Sequence, residues 1–92
     1  MQRKLVWAAD ARRDFAEILG FVAARNVLAA TRLEALVRDS AERILTLPHA
    51  YRPGRVHDTR EMIVHPNYIL VYRVLEDRVR ILRLIHARQR YP

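Results

Sequence analysis

Cysteine is absent from the 92 residues, which excludes a disulfide framework and any thiolate metal site. Glycine occurs only twice, as Gly20 and Gly54, so no phosphate-cradling glycine loop can be built. The four histidines stand apart at 49, 57, 65 and 86, without the paired spacing of a zinc site; no metal and no cofactor is expected. No apolar run approaches the roughly 20 residues that span a bilayer. The opening Met1-Gln2-Arg3-Lys4 leads into a run soon broken by Asp10, Arg12 and Arg13, unlike a secretory leader. A cytoplasmic protein with no membrane partner is the expectation. Acidic residues are also scarce, 10 against 17 basic, and Lys4 is the single lysine among them. A pI near 11 points to a negatively charged partner, whether nucleic acid, anionic membrane or acidic protein. Arginine offers bidentate contacts to phosphate and carboxylate alike, although its excess over lysine is equally a signature of genome base composition.

What is present is a two-part pattern within one expected domain, residues 1–92, long enough for a single modest core. Lys4-Leu5-Val6-Trp7 reads as a short strand. Asp10 is a candidate N-cap, and Phe15, Ile18, Leu19 and Val22 follow at amphipathic-helix spacing, with Asn26 as the expected stop. A second helix is expected over 28–47, with Leu33, Leu36, Val37, Ser40, Ile44 and Leu47 as its inner stripe. The short link makes the two an antiparallel hairpin. Pro48, Pro53 and Gly54 then break the helical half. Strands follow over 59–65, 68–75 and 78–86, with turns at Pro66-Asn67 and Glu76-Asp77 short enough for an antiparallel meander. The fold class is α+β.

The middle strand is apolar on both faces: Leu70, Tyr72 and Val74 on one, Ile69, Val71 and Leu75 with Arg73 on the other. Such strands are covered on both sides, and the hairpin covers one. The second face is expected to present Ile69, Val71, Ile81 and Ile85 around Arg73 and Arg83 as a groove for an outside partner. The alternative is a curled sheet whose own tail closes that face.

Candidate acid–base groups are Glu61, His65 and His86, with His49 and His57 in loops. RNA cleavage through its own 2′-hydroxyl needs a base, an acid and cations for the phosphorane. Arg73, Arg83, His86, Arg88 and Tyr91 have suitable chemistry, yet a basic terminus of this kind is also ordinary solvated surface. Tyr68 and Tyr72 at strand spacing read as core aromatics before nucleobase platforms.

The order of these pieces, with Ala11-Arg12-Arg13-Asp14-Phe15-Ala16-Glu17-Ile18, Thr59-Arg60-Glu61, His65-Pro66-Asn67-Tyr68-Ile69-Leu70-Val71-Tyr72-Arg73-Val74 and Val79-Arg80-Ile81-Leu82-Arg83-Leu84-Ile85-His86-Ala87-Arg88, resembles the RelE/ParE superfamily of type II toxins. The resemblance covers nearly the whole chain. It implies a strand, a helical hairpin and a three-stranded antiparallel meander, as the pattern gave independently. It also implies one of two activities. RelE-like members cleave ribosome-bound messenger RNA, commonly with a strand arginine on the scissile phosphate; Ile69 stands at the matching position here. ParE-like members poison DNA gyrase and block replication, and Ile-Leu-Val-Tyr-Arg-Val with Leu-Ile-His-Ala-Arg looks more like these. On that reading Arg83, His86, Arg88, Arg90 and Tyr91 grip the target without covalent chemistry. A cognate ParD-like antitoxin, acidic and partly disordered, would cross the groove of Ile69, Val71, Arg73, Ile81 and Ile85 and the hairpin, folding as it binds. Operator DNA would be reached only through that antitoxin. A small basic nucleic-acid-binding module is a third reading, opposed by so aliphatic a strand face.

Overall fold

The computed structural model describes residues 2–92 and shows two helices against one mixed five-stranded sheet. Strand β1 (Lys4–Trp7) is followed by α1 (Ala9–Ala23), α2 (Val27–Thr46), β2 (Arg52–Pro53), β3 (Arg60–His65), β4 (Tyr68–Val74) and β5 (Arg78–His86). The spatial order is β1-β5-β4-β3-β2. The meander β3-β4-β5 is antiparallel, as the short turns required, while β1 lies parallel to β5, with Lys4 opposite Arg78 and Trp7 opposite Ile81. The connection from β1 to β5 runs through the hairpin and the rest of the meander, which gives a parallel pair the long crossover it needs. The two-residue β2 at the far edge has no counterpart in the sequence reading, because Pro53 hides so short a pairing.

Two expected caps differ. Helix α1 starts from Ala8, which has no side-chain cap bond, and Asp10 lies inside its first turn. Asn26 starts α2 instead of ending α1: its side chain accepts from the Ala29 amide at 3.0 Å, which satisfies one of the unpaired N–H groups of a helix start. Leu33, Val37, Ser40 and Ile44 point inward as the stripe predicted, whereas Leu47 lies past the helix end and is exposed.

The principal core lies between hairpin and sheet. Phe15, Leu33, Val37 and Ile44 meet Met62, Leu70, Tyr72, Val79, Ile81 and Leu84. Ile81 therefore faces the helices, which corrects its expected place on the second face. The cause is a bulge in β5: Val71 pairs with Arg83 but Tyr72 pairs with Ile81, leaving Leu82 without a partner. One extra residue reverses the facing of everything beyond it, so Ile81 and Leu84 share one face and Arg83 and Ile85 the other.

Tyr72 is the largest fully buried side chain, and its hydroxyl donates to the Pro48 carbonyl at 2.6 Å, tying the end of α2 to the middle of the sheet. Burial pushes its pKa up to about 12 from 10. Tyr72→Phe is expected to lower unfolding free energy by about 1–2 kcal/mol, measured in urea, since the Pro48 carbonyl loses its donor. The wild-type phenol should also add alkaline sensitivity. Its contribution is complete below pH 10 and fades as pH rises towards about 12, because the unfolded state ionises first. The Phe variant should lack that component.

Candidate target-binding edge and the covered second face

The second face of the sheet is built from alternate residues: Glu61 and Ile63 on β3, Ile69, Val71 and Arg73 on β4, Arg83 and Ile85 on β5. Ile69, Val71 and Ile85 are buried there, with Ala87 and Tyr91 of the tail packed against them. The expected open groove is closed; with Ile81 turned inward as well, none of its four aliphatic side chains is presented. The tail can close it because the apolar patch is small, and Tyr91 is long enough to lie over it.

Two polar fastenings hold that cover. Glu61, only 3% exposed, accepts from Arg52 at 2.9 and 3.1 Å and from the Arg55 amide at 3.3 Å, with the Arg55 guanidinium 3.6 Å away. A buried carboxylate must be paired in this way or give up its charge. Arg55 then donates to the Gln89 carbonyl at 3.1 Å, so one arginine joins the loop 54–58 to the tail. That loop is tight. The Gly54 amide donates to the Thr59 carbonyl at 2.7 Å, and a Cβ at Gly54 would collide with the Thr59 side chain. Glu61, a candidate base from sequence, is thus a structural anchor. Nothing in the linear pattern ties it to Arg52 and Arg55, which only the β2–β3 pairing brings alongside.

The tail itself is ordered by short-range bonds. The Ala87 amide donates to Asn67 O at 2.7 Å, and Gln89 N to His86 O at 2.9 Å. The His86 ring packs edge-on to Tyr68, 5.6 Å between centroids, and Tyr68 lies on the helix side. His86 Nδ1 accepts from the Arg88 amide at 3.1 Å. Tyr91 lies on the opposite face, with the Arg83 guanidinium 5.7 Å from its ring centre. The sheet therefore separates His86 from Tyr91, Arg83 and Arg73, and the five candidate nuclease residues do not converge. The Arg88 amide thus occupies the Nδ1 side of the His86 ring.

Arg83 is held as well. Its Nε and Nη2 donate to Asp14 of α1 at 2.7 and 3.1 Å, and the Asp14 carboxylate also accepts from the Leu84 amide at 3.0 Å. The hydrogen bond to Asp14 raises the Arg83 pKa, keeping the charge fixed. Arg88 and Arg90 differ: Arg88 is in the turn after β5 and Arg90 in the tail beyond it, and among the described residues neither guanidinium is bonded within the chain.

Comparison with known proteins agrees with this architecture. The family model described as ParE toxin of type II toxin-antitoxin system, parDE, matches residues 5–91. The chain belongs to the ParE toxin family. This toxin is 34% identical over 94 residues to "Putative toxin Y4kP" of Sinorhizobium fredii, covering 100% of the chain and 97% of the relative. It is 29% identical to "Toxin RelE2" of Caulobacter vibrioides, covering 91% of the chain and 94% of the relative. The chromosomal ParDE system from P. aeruginosa has the same fold, with a TM-score of 0.83 over 92% of this toxin and 96% of that chain at 18% identity. E. coli YafQ is more distant, at a TM-score of 0.54 and 21% identity over 94% of each chain. Two helices with a five-stranded mixed sheet are thus the family architecture, and no helix among the described residues is long and apolar enough to cross a membrane.

The Asp14–Arg83 fork makes a direct prediction. Asp14→Asn keeps one acceptor for the Leu84 amide but loses the charged fork, and should lower stability by about 1.5–3 kcal/mol in urea unfolding. Asp14→Ala should cost more, because the Leu84 amide is then left without a partner.

Proposed function

We propose that this toxin acts by binding DNA gyrase and blocking replication, and that the contact is made by the C-terminal edge. The observation that carries the reading is the state of His86: its Nδ1 is occupied, and it stands across the sheet from Arg73, Arg83 and Tyr91. Proton transfer has no assembled pair of groups, so the basic edge is suited to gripping a target. Ile69, at the position where RelE-like toxins commonly carry a phosphate-binding arginine, is 3% exposed and belongs to the second core. Within the edge, Arg88 and Arg90 are the free cations. Arg83 is occupied by Asp14, and His86 and Tyr91 shape the surface from its two sides. The family match supports the gyrase reading. The relative named Toxin RelE2 supports the second reading, cleavage of ribosome-bound messenger RNA.

Neutralisation by a cognate antitoxin fits the hairpin better than the closed second face. An apolar cleft of about 560 Å³ runs along β1 and α1, lined by Leu5, Trp7, Phe15 and Leu19 and edged by Arg12 and Arg38. An acidic, partly disordered segment with apolar anchors suits that surface, its carboxylates facing Arg12, since Arg38 is already paired with Glu34. Such a complex would act in the cytoplasm.

A supercoiling assay with purified gyrase tests the reading. Toxin freed of antitoxin is expected to suppress supercoiling while cleaved DNA accumulates. Arg88→Ala with Arg90→Ala should need about tenfold more protein for the same effect, since two exposed cations of the contact are lost. Undiminished supercoiling at saturating toxin, with codon-positioned cuts in ribosome-bound messenger RNA, would sink the gyrase reading in favour of the nuclease.

A further inference from the structure

Charge is distributed unevenly along this chain. Residues 9–46, which include both helices, carry six acidic and six basic residues, so the whole excess of seven lies in the sheet half. That half has eleven basic residues and four acidic ones, Asp58, Glu61, Glu76 and Asp77. Register gathers part of the excess on the face away from the helices. Lys4 pairs with Arg78 and Val6 with Arg80 across β1 and β5, and Arg80 pairs with Arg73 across β5 and β4. Leu5, Trp7, Val79 and Ile81 alternate with these residues and enter the helix-side core. Lys4, Arg73, Arg78 and Arg80 therefore stand on the second face, at the end of the sheet away from the tail. Lys4, Arg78 and Arg80 are exposed, and Arg73 is half-buried. Two like-charged pairs thus face each other across neighbouring ladders, an arrangement that destabilises a sheet. Little in the chain offsets it. Among the described residues Lys4, Arg73 and Arg80 form no ion pair, and Arg78 meets only its exposed neighbour Asp77, at 3.3 Å. Glu61 is already taken by Arg52 and Arg55.

We propose that this end of the second face binds the phosphodiester backbone of duplex DNA, without reading its sequence, through Lys4, Arg78 and Arg80. A row of exposed cations on a sheet edge meets a line of phosphates by charge complementarity, the sequence-independent part of nucleic-acid affinity. The aliphatic side chains that speak against a nucleic-acid face, Ile69, Val71 and Ile85, are buried beneath the tail. A splayed single strand needs aromatic rings to stack on, and this face offers none: Tyr91 packs on the second core with Arg83 over its ring. Backbone contact to a duplex is what the surface can make. The choice of DNA over RNA rests on the gyrase reading. Strand β5 has nine residues and spans about 26 Å, with Arg78 and Arg80 at its start and Arg88 and Arg90 beyond its end. The toxin can therefore touch DNA at one end of β5 while the C-terminal edge holds a protein at the other.

The test uses the purified toxin alone and a short labelled DNA duplex, titrated over a salt series. Replacing all three cations, Lys4→Ala, Arg78→Ala and Arg80→Ala, should weaken binding by at least about tenfold. It should also flatten the salt dependence by about 2–3 in log–log slope, as three lost phosphate contacts require. This variant should melt no lower than wild type, because like-charge repulsion is relieved. Should it melt lower, Arg78→Gln with Arg80→Gln keeps the side-chain stems and should flatten the slope by about 2. Removing three exposed helix arginines, Arg13→Ala, Arg32→Ala and Arg43→Ala, lowers net charge equally and should weaken binding about twofold at most. Equal weakening by that control would mean diffuse attraction and overturn the proposal. So would tighter binding to single-stranded DNA or to duplex RNA than to duplex DNA. Failure of the gyrase reading is distinguishable. A toxin that binds the duplex through these residues yet leaves supercoiling intact keeps the DNA face and loses the gyrase target. Inhibition of gyrase with no duplex binding by the toxin alone would overturn the DNA face and spare the gyrase reading.

Discussion

The joint on which the molecule depends is the Asp14 carboxylate. Strand β1 covers β5 only as far as Trp7 opposite Ile81, and beyond that the edge of β5 has no strand beside it. Asp14, one turn into α1, takes the Leu84 amide at that bare edge and the Arg83 fork next to it. A carboxylate can accept all three bonds, and the charge-assisted ones are about twice as strong as neutral bonds. The helix is thereby locked in register against β5, which borders both cores. The Trp7–Phe15 stack, with centroids 5.4 Å apart, seals the same seam a turn away.

The bulge at Leu82 sits immediately before this joint and explains why β5 can serve two cores at once. Up to Ile81 the strand feeds the helix side. After the bulge, Arg83 and Ile85 face the opposite way while Leu84 still faces the helices. A regular strand with this sequence would have placed Ile81 and Ile85 on the same face. The extra residue sends Ile81 to the helix-side core while Arg83 and Ile85 keep the second face, where Arg83 lies over Tyr91. The same two-sidedness accounts for the separation of His86 from the arginines, and hence for a surface organised to bind.

Sixteen arginines in so small a chain do several different jobs. Some are structural: Arg52 and Arg55 neutralise Glu61, Arg83 neutralises Asp14, and Arg3 donates to the Leu75 carbonyl at 2.8 Å. Others cover apolar rings, as Arg25 does over Phe21 at 3.8 Å and Arg38 over Phe15 at 5.3 Å. Only the remainder are available to a partner. Net charge alone therefore overstates the binding surface, because a guanidinium bonded to a buried carboxylate contributes little outward field.

The helices, the meander and its turns were legible in the sequence because they follow from local periodicity. The apolar spacing of Phe15, Ile18, Leu19 and Val22, and of Leu33, Val37 and Ile44, has no strand reading, and Pro66-Asn67 can only turn. The family, too, could be read from short ordered motifs. Three other features could not be read. Asn26 suits either helix end, and its choice rested on which amides lacked partners. The bulge at Leu82 leaves no mark in a run where both neighbours are apolar. The closure of the second face rests on Glu61 meeting Arg52 and Arg55 across the β2–β3 pairing, on Arg55 reaching Gln89, and on Tyr91 packing against the cluster of Ile69, Val71 and Ile85. Periodicity determined what each segment is and which of its faces is apolar. Which faces meet, and which arginines remain free, only the tertiary structure decided, because both depend on pairing across the sheet and not on neighbours in the sequence.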